Sequence, residues 1–229
     1  SLEPTSWEEA IALIAERLGS IRKESGPDSI AGFASAKCTN EENYVFQKFM
    51  RAVIGTNNVD HCARLCHAST VTGLLKSLGS GAMTNTIDDL RHAKCIFIIG
   101  SNTTEAHPVI ALSIKEAVVK HGATLIVADP RKIDIVRFAK IHLAQKPGTD
   151  VALLNGLMHV IVEENLTNQQ FIAERTENFE SVAAAVAPCT PEWTEAVTGI
   201  PADMIRAAAR MFATAQSASI VYSMGITQH

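Results

Sequence analysis

Between residues 94 and 164 the chain runs three times through one pattern: a short continuous apolar run, a loop of small and polar residues, and a helix-period segment. The first unit is Lys94–Ile99, the loop Gly100–Pro108, and a helix over Val109–His121 closed by Gly122. The second is Thr124–Ala128, the turn Asp129-Pro130-Arg131, and a short helix over Asp134–Ala139. The third is Ile141–Ala144, the turn Lys146–Thr149, and a helix over Asp150–Glu164. Strands that are apolar without alternation are covered on both faces, and only a parallel sheet between two helix layers covers them so. The expected fold class is therefore α/β, a three-layer α/β/α arrangement on a doubly wound, mostly parallel sheet. Residues 167–215 read as helical pieces punctuated by Pro188, Pro191 and Pro201, and Ser219–Tyr222 as one further strand. The composition agrees: 47% hydrophobic residues can fill a large core, and 5% aromatic residues fit aliphatic layers better than a β-sandwich.

The first 60 residues follow a different plan. Ser6-Trp7-Glu8-Glu9 and Thr39-Asn40-Glu41-Glu42 are capping boxes, each followed by apolar residues at helical spacing. The first helix should end near Gly26-Pro27 and the second at Gly55, with a buried strand over Ser29–Ala34 between them and a loop over Asn57–Asp60. These residues, 1–61, are expected to be an incomplete part of a first α/β domain, and residues 62–229 a dinucleotide-binding-like domain. With no initial Met and both ends inside patterned segments, the chain reads as a fragment of a larger multidomain protein.

Several classes of partner are disfavoured. A net charge of −4 offers no basic footprint for nucleic acid. No apolar stretch reaches the ~20 residues of a membrane span. The cysteines Cys38, Cys62, Cys66, Cys95 and Cys189 are odd in number and scattered, which argues against a disulfide framework and for a reducing, cytoplasmic compartment, with the periplasm left open. Cys95 lies in an apolar run and is expected to be a buried, inert thiol, as is Cys189.

In a doubly wound sheet, ligands bind beyond the carboxyl ends of the strands. Three loops fall there: Gly100-Ser101-Asn102-Thr103-Thr104-Glu105, Asp129-Pro130-Arg131-Lys132, and Lys146-Pro147-Gly148-Thr149-Asp150. Each combines a close backbone approach or a helix start with an acid that can accept from ribose or guanine. Each alone suits a simple turn; on successive strands a nucleotide site is equally compatible. Neither GxGxxG nor a P-loop is present. In Cys62-Ala63-Arg64-Leu65-Cys66-His67, nearby positive charge can favour a thiolate, and a buried structural pair of cysteines remains the alternative. No second Cys or His pair stands at zinc or iron–sulfur spacing. His107 could face a ligand; His121 suits a helix end, His159 a core, and Glu163-Glu164 a solvated helix end.

The segment Asn57–His67 resembles the active-site segment of the catalytic subunit of formate dehydrogenases, which are bis-molybdopterin guanine dinucleotide oxidoreductases of the DMSO reductase superfamily. The resemblance continues through Gly79–Asn85, Gly100-Ser101-Asn102, Ala128–Lys132, Asn155–Ile161 and Met224–Gln228, and so covers the chain. It implies that Cys66, at a position that is selenocysteine in many relatives, binds Mo or W, and that His67 handles the proton as formate becomes CO2. It implies that the guanine dinucleotide arms lie on the loops holding Gly100, Asn102, Glu105, Asp129, Arg131, Gly148 and Asp150, and on Gly225–Gln228. A [4Fe–4S] cluster would be bound by an amino-terminal segment not in this chain. Electron-transfer partners would be iron–sulfur, NAD(H)-, ferredoxin- or hydrogenase-linked subunits. Nitrate reductases of the superfamily usually follow the metal-binding Cys with Met, and scaffold homologues generally lack the Cys, so Cys66-His67 speaks against both. A redox switch built on Cys62 and Cys66 is the remaining rival.

Overall fold

The computed structural model describes residues 3–229 and divides into two compact units, Ser1–Gly73 and Leu74–His229.

In the first unit, helix α1 (Trp7–Ser25) begins with the expected capping box: Ser6 Oγ accepts from the Glu9 N–H, and the Glu9 carboxylate accepts from the Ser6 N–H. Strand β1 (Gly32–Ala34) is shorter than expected, because Pro27–Ser29 form a 3-10 turn instead. Helix α2 (Asn40–Lys48) has its own capping box on Thr39 and Glu42, then widens into a π-helical turn over Phe49–Ile54 that ends on left-handed Gly55. Met50 and Ile54 of that turn pack with Ile30 as a small core.

The expected loop over Asn57–Asp60 is corrected. Its second half belongs to strand β2 (Val59–His61), which pairs in parallel with β1. Asn and Asp have little strand preference, so the pairing comes from non-local contacts. Gly32 donates to the Asn58 carbonyl at 2.9 Å, and Thr56 and Asn58 both bond to Asp28. A single turn, α3 (Ala63–Cys66), follows, and α4 (Ala68–Leu78) spans the division between the units.

The second unit has the predicted layers. After α5 (Asp89–His92) come β3 (Cys95–Ile99), α6 (Thr103–Ala106), α7 (Pro108–His121) and β4 (Thr124–Ala128). Then follow a 3-10 turn over Asp134–Phe138, β5 (Ile141–Leu143) and α8 (Asp150–Glu163). Helices α9 (Gln169–Arg175), α10 (Phe179–Val186), α11 (Pro191–Thr198) and α12 (Ala202–Ala213) lead to β6 (Ala218–Tyr222) and the turn α13 (Met224–Thr227).

The strand order is β5-β4-β3-β6, all pairs parallel. Side chains alternate between two cores. Ile96 and Ile98 meet Ala111, Ile114 and Ala117 on one face, while Cys95, Phe97 and Ile99 meet Leu153, Ile205 and Ala209 on the other. Cys95 is fully buried, and burial pushes its thiol pKa up to about 11, as an inert core cysteine requires. At the solvated end of α8, Glu164 pairs with Arg210 through two surface bonds of 2.7 Å that tie the end of α8 to α12.

Candidate functional site

The sheet order places a topological switch between β3 and β6. The chain winds outward from β3 through β4 to β5, then returns to the opposite side of β3 for β6. A crevice opens where neighbouring strands lead away in opposite directions, and this is where doubly wound folds hold their ligands.

At the carboxyl ends of β3 and β6, backbone meets backbone. Gly100 follows β3 with φ +58°, and its carbonyl accepts the Gly225 N–H at 3.0 Å. A Cβ on Gly100 would lie 2.7 Å from the Gly225 carbonyl carbon. Two of the sequence-predicted residues thus form the floor of the switch point, and only glycine permits the approach. Above Gly100, Asn102 Oδ1, Thr103 Oγ1 and Thr104 Oγ1 are shielded from solvent and have no protein partner. Three orphaned polar atoms on one loop, an amide oxygen and two hydroxyls, are costly unless something else satisfies them.

The β4 loop is organised by Asp129, a buried carboxylate whose Oδ1 accepts the Arg131 N–H at 2.8 Å. The Asp129 carbonyl lies 2.9 Å from His142 Nε2 on β5, so the imidazole serves as donor there. The Arg131 guanidinium is exposed, with its Nε 3.9 Å from Asp129 Oδ1.

In the β5 loop Gly148 takes φ +79° and turns the chain into α8. Asp150, buried in the first turn of that helix, accepts from Gln145 Nε2 at 2.9 Å and lies 3.3 Å from His229 Nδ1, beyond β6. Gln145 Oε1 is also buried without a protein partner. Gln228 is exposed beside His229. Glu105 is exposed on α6, and His107 is exposed at the start of α7.

Sequence reasoning missed Gln145 and His142. Gln145 could have been flagged only by its place directly after a strand. His142 sits in a strand pattern that offers no sign of a polar role.

The cysteine turn lies in the first unit. Asp60 Oδ1 accepts the His61 N–H at 2.8 Å, and Asp60 Oδ2 pairs with Arg64 Nε at 3.1 Å; these bonds hold the carboxyl below its ordinary range. His61 Nδ1 accepts the Ala63 N–H at 3.1 Å. The Cys62 carbonyl accepts the amides of both Leu65 and Cys66 and so closes the turn. Cys66 and His67 are half-buried, and the five cysteines are free thiols. Among the described residues no group of three or more His, Cys, Asp or Glu could hold a metal ion. Among the same residues no helix is long and apolar enough to cross a membrane.

A family model described as molybdopterin oxidoreductase matches residues 1–229. Formate dehydrogenase H of Escherichia coli is 50% identical over 228 residues, which are 99% of this chain and 32% of that protein. The F420-dependent formate dehydrogenase 1 subunit alpha of Methanococcus maripaludis is 49% identical over 227 residues, 99% of this chain and 33% of that one. Among solved structures, acetylene hydratase from Pelobacter acetylenicus matches with a TM-score of 0.80 and 29% identity, covering 98% of this chain and 30% of its own. The chain thus spans about a third of the length of these relatives. With a family match along its whole length and a topological switch point in its parallel sheet, the chain belongs to the molybdopterin oxidoreductase family.

Proposed function

We propose that the protein to which this chain belongs is the catalytic subunit of a formate dehydrogenase that oxidises formate to CO2, one proton and two electrons. The observation that carries the reading is the Cys66-His67 pair: a free thiol at the end of a one-turn helix with an imidazole next in the chain. The formate dehydrogenase relatives, 50% and 49% identical, support it.

The residues present suit a bis-molybdopterin guanine dinucleotide. The orphaned amide oxygens of Asn102 and Gln145 can accept, and the hydroxyls of Thr103 and Thr104 can accept or donate; guanine and ribose supply both kinds of partner. The start of the 14-residue helix α8, behind Gly148 and Thr149, offers backbone N–H groups to phosphate. Exposed Arg131 adds a positive charge. When bound, the cofactor supplies a Mo or W centre that accepts the two electrons. Cys66 contributes a soft sulfur ligand, which is favoured as thiolate. His67 accepts the proton at a ring nitrogen and passes it toward solvent. Asp129 and Asp150 hold their loops in shape and present carboxylate oxygens to donors. Gly100, Asn102, Glu105, Gly148, Gly225 and Gln228 complete the cradle.

The same reading assigns the electrons to a [4Fe–4S] cluster outside this chain and then to an electron-transfer subunit, in the cytoplasm. Residues 1–61 then belong to one α/β domain and 62–229 to the next.

The test is Mo and W content with dye-linked formate oxidation, measured on the full-length protein and on its Cys66→Ala variant. Metal and activity that are both lost with Cys66 support the reading. Metal with no formate turnover points to another substrate within the family, and a protein without metal points to a scaffold.

A further inference from the structure

We infer that Cys62 is a positioning residue for Cys66, anchoring the metal-ligand turn to the loop that follows β1. The inference rests on Cys66 being the metal ligand. It comes from two bonds made by one residue. The Cys62 carbonyl accepts the Cys66 amide at 3.0 Å, which sets the backbone of Cys66 relative to Cys62. The Cys62 Sγ accepts the Ala36 N–H at 3.2 Å, across 26 residues of sequence. Cys66 is thus linked through Cys62 to the loop at the carboxyl end of the neighbouring strand β1.

The other ties described at this turn are local. Asp60 holds Arg64, and His61 holds the Ala63 amide, both within four residues. They shape the turn from within, and the β1–β2 pairing, which sets His61 opposite Ala34, places only the residue before it. Ala36 can fix it, because its loop is itself held: Asn43 Nδ2 donates to the carbonyls of Ser35 at 3.2 Å and Thr39 at 3.0 Å, Cys38 donates to the Ser35 carbonyl, and α2 begins at its end. The chain of contact is therefore α2, Asn43, the Ser35–Cys38 loop, the Cys62 sulfur, the Cys62 carbonyl and Cys66. Sulfur suits the link because its long bond and large radius let an amide approach at a distance where a serine oxygen would fall short. The pair is the only cysteine–backbone N–H bond described in this unit, and Cys62 then has a role that requires neither a disulfide nor a metal.

Reacting groups displaced by about 1 Å can lose on the order of 100-fold in rate, so a partial loss of the anchor should cost about tenfold. The experiment uses the full-length, metal-loaded protein with Cys62→Ala and Cys62→Ser, every rate being normalised to bound metal. The expected result for Cys62→Ala is full metal content, kcat down about tenfold with KM changed less than twofold, a shifted or broadened metal(V) EPR signal, and faster hydrogen exchange at the Ala36 amide. Cys62→Ser should recover part of the kcat and EPR change, and it provides the same readouts if Cys62→Ala does not accumulate. An unchanged EPR signal with unchanged kcat per metal would overturn the inference, even if thermal stability falls. Cys66→Ala separates the two readings: if metal and turnover survive it, the ligand assignment itself fails.

Discussion

Gly100→Ala tests the switch-point geometry directly. Two costs add. Gly100 has φ +58°, a left-handed conformation that costs an L-residue roughly 1–2 kcal/mol. The new methyl would also lie 2.7 Å from the Gly225 carbonyl carbon and 2.9 Å from the Ile226 nitrogen. These are backbone atoms that cannot rotate away, and such overpacking costs about 1–3 kcal/mol. The sum, about 2–5 kcal/mol, is a large part of the ~5–15 kcal/mol that holds a typical domain folded. At about 2–4 °C per kcal/mol for a unit of this size, the transition should fall by roughly 4–20 °C in calorimetry.

The matched control is Gly148→Ala. Its φ is +79°, but a Cβ there meets nothing within 4 Å, so only the backbone cost applies. Gly100→Ala should therefore melt clearly below Gly148→Ala and should lower the pterin content of the full-length protein, because relief of the clash separates the β3 and β6 loops. Equal destabilisation by the two substitutions would refute the close-approach argument and leave only backbone conformation.

Further predictions concern separate parts of the molecule. Cys66→Ala should remove most of the Mo or W and the formate activity while leaving the far-UV circular dichroism unchanged, as checked by metal analysis and a dye assay. Alkylation at pH 8 followed by mass spectrometry should label exposed Cys38 and Cys62 and spare Cys95, whose thiol burial pushes to about 11; rapid native-state labelling of Cys95 would contradict the packing of β3. Hydrogen bonds from Arg210 hold the Glu164 carboxyl below its ordinary value of 4.5. The depressed folded-state value means that the pair's contribution is present above the unfolded carboxyl pKa and is lost as pH falls through the folded one. The melting-temperature gap between the native protein and Arg210→Ala should therefore be open at pH 7 and close as the pH falls through the folded-state carboxyl value; a gap that persists in acid would assign the effect to packing of the arginine stem.

What was legible in the sequence was local. Capping boxes at Ser6 and Thr39 announce their helices because one side chain and one amide three residues away suffice. Thr124–Ala128 reads as a strand, with the observed bounds, because five β-favouring or apolar residues stand between Gly122-Ala123 and Asp129-Pro130. β2 was not legible, since Val59-Asp60-His61 becomes a strand only when β1 is present to pair with it. The π-helical end of α2 likewise carries no local signature and is seen in the bond from the Gly55 amide to the Met50 carbonyl.

For the candidate site the division is the same. The sequence by itself determined the residue chemistry: glycines, acids and an arginine at the carboxyl ends of successive parallel strands, and a cysteine beside a histidine. Only the tertiary structure decided which of them meet. It set Gly100 against Gly225, Asp150 near His229, and the Cys62 sulfur on the Ala36 amide, pairs separated by 125, 79 and 26 positions. It also left Glu105 and His107 exposed at the rim. The physical reason is range: capping and turn preferences act over a few residues, whereas contact across a switch point depends on the order in which strands join a sheet, and that order is settled by burial of the whole core.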